Sequence, residues 1–293
     1  MKTIPFLDAV DLDEVERVVV LSPHLDDAAL SCGGLLSALK GKVSRLVITL
    51  SCSNPTPRPG ASGKPVRARN RAGYASPAER RREDIAAMHA LDCDFVHLGF
   101  TDSIYRRSPT SGDLIYKTPR EILARGLPHI EDSAHVEELY LVLRRLCLGM
   151  GRLLLLSPMG IGHHVDHSIC AHVVARLTSE RATVLFYEDF PYVIYGDGSY
   201  DNPNPRLRIA PDSPESALGR IHHTPSRRVA QHISVEDKAR LLLHYQSQIE
   251  GLFGDEHEMR RMLAHRRWAG EPAELFWSAK SAAERWRGPG GLS

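Results

Sequence analysis

The run Val18-Val19-Val20-Leu21 leads without interruption into Ser22-Pro23-His24-Leu25-Asp26-Asp27-Ala28-Ala29. A β-branched, wholly apolar run reads as a strand covered on both faces, as in a parallel sheet. The apolar stretch from Ala28 to Leu39 reads as a helix. A first strand is therefore expected at about 16–22 and a first helix at about 26–40, with His24, Asp26 and Asp27 at the turn between them. Ligands of open α/β sheets bind at the carboxyl ends of strands. An imidazole and two carboxylates in four positions are costly there when unpaired, and a divalent cation would relieve that cost. The competing reading makes Asp26 or Asp27 a helix N-cap and His24 a satisfied strand-end histidine.

The rest of the chain repeats the alternation. Lys42 to Leu50 reads as a second strand, Ala78 to Asp92 as an amphipathic helix starting at Ser76 or Pro77, and Phe95 to Phe100 as a third strand with Asp102 after it. Asp102 alone also fits a turn-capping role. Ala134 to Leu148 reads as a helix. Leu153 to Leu156 is a further buried strand that ends, like the first, in Ser-Pro. It continues as Met159-Gly160-Ile161-Gly162-His163-His164-Val165-Asp166-His167, with a helix from about Asp166 to Leu177. Thr183 to Tyr187 reads as a strand, 195–227 as loop with a hairpin, Val235 to Leu252 as one long helix, and 253–293 as a polar tail. Strand and helix in alternation predict a mostly parallel, doubly wound sheet. Gly33-Gly34 inside the first helix is unfavourable by propensity and predicts close approach of another backbone, such as the sheet.

A chain of 293 residues can bury one large core, so a single domain over 1–293 is expected, with a C-terminal helical extension from about 235. Residues 53–77, with prolines at 55, 57, 59, 65 and 77 and arginines at 58, 67, 69 and 71, read as a flexible loop or a lid over an anionic or polyhydroxylated substrate. A net charge of +1 gives no reason to expect nucleic acid or an anionic membrane as partner. No apolar run approaches the roughly 18 residues of a membrane span, and the N-terminus lacks the apolar core of a signal peptide. Five cysteines without a CxxC pair fit reduced core residues in a cytoplasmic protein. No oligomeric state follows.

Two strand ends thus carry His and Asp clusters. Three mixed His and Asp ligands with an open fourth position describe a catalytic zinc site. In the first cluster His24 and Asp27, three apart at a helix start, face one side, which leaves Asp26 free as a base. In the second, either His164 or His167 is a candidate ligand. A zinc-bound water has a lowered pKa, a nearby carboxylate can take its proton, and a second histidine can stabilise the oxyanion or protonate a leaving amine. These parts suit amide hydrolysis.

The segment Ser22-Pro23-His24-Leu25-Asp26-Asp27 resembles the (A/S/H)-P-H-x-D-D motif of the PIG-L/LmbE-like deacetylases, and His164-Val165-Asp166-His167 resembles their H-x-D-H motif. Phe186 to Tyr192 resembles a Y-E-D-x-P-Y segment of one bacterial branch, and Lys238 to Gln248 a late helix of it, so the likeness spans about 16–280. The resemblance implies an α/β, Rossmann-like, mostly parallel sheet with helices on both faces. It implies a zinc-dependent N-deacetylase, with iron(II) as an alternative metal, acting on an N-acetylglucosamine-type sugar or glycoconjugate such as a mycothiol precursor, a GPI precursor or a glycosylated antibiotic. By position it implies His24, Asp27 and His167 as metal ligands, Asp26 as general base, His164 as oxyanion stabiliser or acid, and Asp102 as a holder of sugar hydroxyls.

The chain departs from the family pattern at Ala28, where a Glu often follows the two aspartates, and at Gly162, where some members carry a tyrosine that aids the carbonyl; Tyr192 is the candidate replacement. His163 is an additional histidine that competes as a ligand. An amidase of larger conjugates would use the same metal site. A non-catalytic sugar- or nucleotide-binding module is disfavoured because no G-x-G-x-x-G follows the first strand.

Overall fold

The computed structural model describes residues 2–54, 75–123, 126–177, 182–196, 198, 200 and 210–281. The loop expected at 53–77 falls largely outside the described residues. The strands are β1 (Thr3–Pro5), β2 (Arg17–Ser22), β3 (Ser44–Ser51), β4 (Asp94–Phe100), β5 (Leu153–Pro158), β6 (Ala182–Tyr187), β7 (His223–His232), β8 (Arg267–Trp268) and β9 (Glu271–Ser281). They form a sheet in the order β1-β7-β9-β6-β5-β2-β3-β4, with β8 folded back on β9. The five strands β4, β3, β2, β5 and β6 are mutually parallel. The apolar runs that marked β2 and β5 are buried along their whole length, as parallel strands covered by helices require.

The chain leaves β2 in two directions, to β3 and β4 on one side and, later, to β5 and β6 on the other. The order therefore reverses between β2 and β5, where an open α/β sheet forms its crevice. Val20 pairs with Leu156, so the Ser-Pro ends of the two strands sit side by side.

The C-terminal third differs from the sequence expectation. Within 195–227, expected as loop, Pro214–Arg220 is a helix and β7, His223–His232, begins. The single long helix expected at 235–252 is two, Val235–Leu242 and Gln246–Phe253, with Leu243 to Tyr245 between them. Both helices bury apolar residues, Ala239, Leu241 and Leu242 in the first and Ile249 and Phe253 in the second, so the apolar pattern does not mark the break. The extension from about 235 is not purely helical. After a third helix, Glu256–His265, the chain enters β9, which pairs antiparallel with both β6 and β7. A strand in mid-sheet needs partners on both sides, and these come from segments distant in sequence.

The paired glycines lie in the helix Asp27–Ala38, and what approaches them is not the backbone of the sheet. A Cβ on Gly33 would stand 2.6 Å from Cδ2 of Leu241, and one on Gly34 would collide with Ile233. The Glu274 carboxylate, from β9, accepts the Gly34 and Leu35 amides at 2.8 Å each and an ion pair from Lys238 at 2.6 Å. Glycine is needed here so that two side chains and a carboxylate can reach the helix.

Candidate active site

The helix Asp27–Ala38 begins directly after β2, and Asp26 occupies its N-cap position. Its carboxylate makes no capping bond. The Ser22 hydroxyl accepts the Ala28 amide at 3.0 Å instead, and Asp27 Oδ2 accepts the His24 amide at 2.7 Å. Both carboxylates are thus turned from helix capping toward the crevice. Asp26 meets Arg80 Nη2 at 3.1 Å. Burial, opposed by Arg80 and reinforced by Asp27, pushes its pKa up to about 6.

From β5 the chain passes through Gly160 and Gly162, both at positive φ, into the helix Val165–Arg176. His164 is the N-cap and accepts the Asp166 amide on Nδ1 at 3.3 Å, so the neutral ring keeps its proton on Nε2. Burial, with His24 and His167 close by, holds it well below the usual histidine range. His167 follows one turn later. Its Nδ1 lies 2.7 Å from Asp189 Oδ1, and its Nε2 faces Asp27 Oδ2 at 3.4 Å, buried and without a hydrogen-bond partner.

Asp27 Oδ2 also stands 3.2 Å from His24 Nδ1. Ligand atoms about 2.0 Å from a tetrahedral centre are about 3.3 Å apart, so the 3.2 and 3.4 Å edges at Asp27 fit a cation held by His24, Asp27 and His167. An orphaned, buried imidazole nitrogen whose opposite nitrogen is fixed by a carboxylate is the usual arrangement of a metal-binding histidine. Ring nitrogens of His24, His164 and His167 lie within 4.8 Å of one another. The electrostatics agree. Burial disfavours charge on His24 and His167, yet carboxylates outweigh it: Asp102, Asp166 and Asp27 raise His24 well above its usual range, and Asp27 and Asp189 lift His167 to about 9. The cluster attracts positive charge, which a divalent cation would supply.

His24, Asp26, Asp27, Asp102, His164 and Tyr192 all line one pocket of about 320 Å3, and the buried His167 packs against His24, His164 and Tyr192. Asp102 caps its turn and also faces the cluster. Oδ1 caps its turn, accepting the Ile104 amide at 3.0 Å, while Oδ2 faces His24 Nε2 at 3.9 Å. Tyr192 fills the space beside Gly162, where a Cβ would stand 2.7 Å from the tyrosine Cβ. Its ring stacks on His164 at 6.5 Å and meets His167 edge-on at 5.5 Å. His163 is not brought into the cluster: it has φ +61° and its Nε2 faces Asp212 at 3.7 Å. A left-handed residue directly before the N-cap turns its side chain away from the helix face that carries His167.

Three groups at the site were not singled out from the sequence. Asp189 lies in the Glu188-Asp189 pair after β6, so its place at a strand end was a usable signal. Asp166 sits inside the H-x-D-H motif and accepts His24 Nε2 at 3.0 Å. Arg106, ion-paired to Asp166, lies in an irregular segment with no periodicity to mark it. The apolar wall comes from Pro119, Ile122 and Leu123 on one side and Phe190, Pro191 and Leu252 on the other.

Residues 19–178 match the family model PIG-L, GlcNAc-PI de-N-acetylase. The chain is 27% identical over 284 residues to a 2'-N-acetylparomamine deacetylase of Niallia circulans, covering 91% of this chain and 92% of that one. It is 31% identical over 179 residues to a 2'-N-acetylparomamine deacetylase of Streptomyces fradiae, covering 60% and 57%. Among solved structures it is similar to the zinc-inhibited form of teicoplanin deacetylase, with 25% identity, a TM-score of 0.69, and coverage of 90% of this chain and 98% of that one.

Proposed function

The chain belongs to the PIG-L family of GlcNAc-PI de-N-acetylases, and from that membership we propose that it hydrolyses the N-acetyl group of an amino sugar or glycoconjugate, with a metal ion held by His24, Asp27 and His167. The observation that carries this reading is the buried, unpartnered Nε2 of His167 facing Asp27 Oδ2, with Asp189 fixing the other nitrogen. The relatives named as acetylparomamine and teicoplanin deacetylases support an amino-sugar substrate. We take the metal to be zinc; iron(II) suits the same His and Asp donors.

A divalent ion at this place supplies a Lewis acid that polarises the amide carbonyl and lowers the pKa of the attacking water. The residues around it do the rest. Asp26, not engaged in capping and restrained by Arg80, accepts the proton of the water as it attacks. His164 presents an Nε2–H to the carbonyl oxygen as negative charge develops there. The proton held by Asp26 then passes to the departing amine. Asp102 and Tyr192, on the pocket wall, hold the sugar ring so that its acetamide reaches these groups. A pocket of about 320 Å3 is at the small end of the range for small-molecule sites, roughly 300–1,000 Å3.

No helix among the described residues is long and apolar enough to cross a membrane. All five cysteines are free, which supports a reducing, cytoplasmic location.

The test is elemental analysis of protein purified without chelator, wild type beside Asp27→Ala, followed by an amine-release assay on N-acetylglucosamine conjugates. About one zinc or iron per chain, lost in the variant, with amine released by the wild type, is the expected result. Metal-free wild type that gains no activity with added zinc would sink the reading. Release only from substrates with larger acyl groups would make the protein an amidase.

A further inference from the structure

Each ring nitrogen of His24 has a carboxylate close to it, and Asp102 Oδ2 stands farther off at 3.9 Å from Nε2. Nδ1 stands 3.2 Å from Asp27 Oδ2, on the side where the cation would bind, and Nε2 stands 3.0 Å from Asp166 Oδ2. An Nε2–H given to Asp166 leaves the lone pair on Nδ1, directed at the cation. The orientation of His24 therefore depends on the orientation of Asp166, and Asp166 is held from three sides. Its Oδ2 accepts the Ser103 amide at 3.0 Å as well as His24, and its Oδ1 is ion-paired to Arg106 Nη1. Arg106 cannot slide along that contact. Its Nε and Nη2 both face Asp132 Oδ2, at 3.1 and 3.0 Å, and the Tyr116 hydroxyl donates to the same oxygen at 2.6 Å. Arg106, Asp132 and Asp166 are each at least nine-tenths buried. The guanidinium is thus a planar bridge between two fixed carboxylates, a task its fork geometry suits and a lysine's point charge does not.

We propose that Arg106 is a positioning residue for the metal centre: by bridging Asp132 and Asp166 it fixes the carboxylate that directs Nδ1 of His24 toward the cation. The inference rests on the ligand set proposed above. It also ties the centre to the pocket wall, since Arg106 and Asp132 bracket the segment that carries Pro119, Ile122 and Leu123.

Charge and position make opposite predictions for Arg106. Removing a cation near a dication strengthens metal binding if charge is all that counts. Losing the bridge weakens it if position counts. The measurement is the zinc dissociation constant, by competition with a chromophoric chelator, for wild type, Arg106→Met, Arg106→Lys and Arg45→Met, with the absorption spectrum of each cobalt(II)-loaded protein. Arg45 is equally buried but caps carbonyls of Leu36, Leu91 and Asp92, away from His24. Loss of such an outer partner weakens metal affinity about 10–100-fold. Both Arg106 variants are expected to show that loss and a shifted cobalt spectrum, with Arg45→Met within about threefold of wild type, given that it leaves those outer partners intact. Zinc bound by Arg106→Met as tightly as by wild type, or more tightly, would overturn the proposal. So would wild-type behaviour of Arg106→Lys, which keeps the charge and answers the question even if the methionine variant does not fold. Equal losses in Arg45→Met would assign the effect to general destabilisation and overturn it too. A wild type that takes up no zinc removes the ligand set and this inference together, whereas tight wild-type binding with unaffected variants removes this inference only.

Discussion

At the scale of single residues, the site depends on which atom satisfies each helix end. Ser22 takes the amide that Asp26 would otherwise cap, and this leaves the Asp26 carboxylate turned to the crevice, as the proposed proton transfer requires. Asp26→Asn keeps the shape and removes the proposed base. Its turnover is expected to fall about 100- to 10,000-fold with metal content unchanged, checked by amine release and elemental analysis on one preparation. Loss of the metal along with activity would instead place Asp26 among the ligands. Gly162 is a second such point, at φ +83° with Tyr192 against it. Gly162→Ala meets both the left-handed backbone cost, about 1–2 kcal/mol, and the tyrosine ring. Denaturation should show that loss, and KM should rise because Tyr192 is displaced from the pocket wall.

At the scale of elements, the helix that starts with Asp27 is held from behind by Glu274. That carboxylate takes two amides and one ammonium from two places in the chain. The two partners are not equivalent. Glu274→Ala leaves the buried Lys238 charge uncompensated and should cost about 3–5 kcal/mol. Lys238→Met leaves Glu274 with its two amide donors and should cost less, about 1–3 kcal/mol. Urea unfolding of the two variants checks the order, and equal losses would contradict it. The break between Val235–Leu242 and Gln246–Phe253 matters at the same scale. It lets the first helix pack against Gly33 while the second turns to the pocket, where Gln246, Ser247 and Leu252 line the wall.

At the scale of the whole molecule, β9 holds β7 and β1 to the parallel strands. A chain ended before Glu271 should lose cooperative unfolding altogether, measured by far-UV circular dichroism during heating, because β6 and β7 lose their common partner. The pH response is also a property of the whole fold. Burial lowers the pKa of His135, aided by Arg106, and burial likewise lowers that of His172. The unfolded chain, titrating near 6.5, then binds more protons than the native one below that pH. The share of stability set by His135 and His172 should therefore be full above about pH 6.5 and fall as pH drops below it, by at most about 1.4 kcal/mol per pH unit for each histidine, opposite in sign to the raised His24 and His167. Urea midpoints at pH 7.5, 6.5 and 5.5 should show a shallower fall in His135→Leu, and identical slopes would exclude that histidine.

The sequence by itself determined the parallel core and the two strand ends. The buried runs at β2 and β5 are contiguous, and His24, Asp26 and Asp27, like His164 and His167, lie within a few residues of one another, where strand and helix periods can be read directly. It did not determine what fixes those side chains. Asp189 reaches His167 across 22 positions, Arg106 reaches Asp166 across 60, and Glu274 reaches Gly34 across 240. No local period connects such pairs. Nor did it reveal β7 and β9, since an antiparallel strand inserted in mid-sheet is specified by neighbours on both sides rather than by its own pattern. Local chemistry chose the groups that can react. Tertiary structure decided which nitrogen, which oxygen and which face each of them presents, because buried charges settle where distant partners satisfy them.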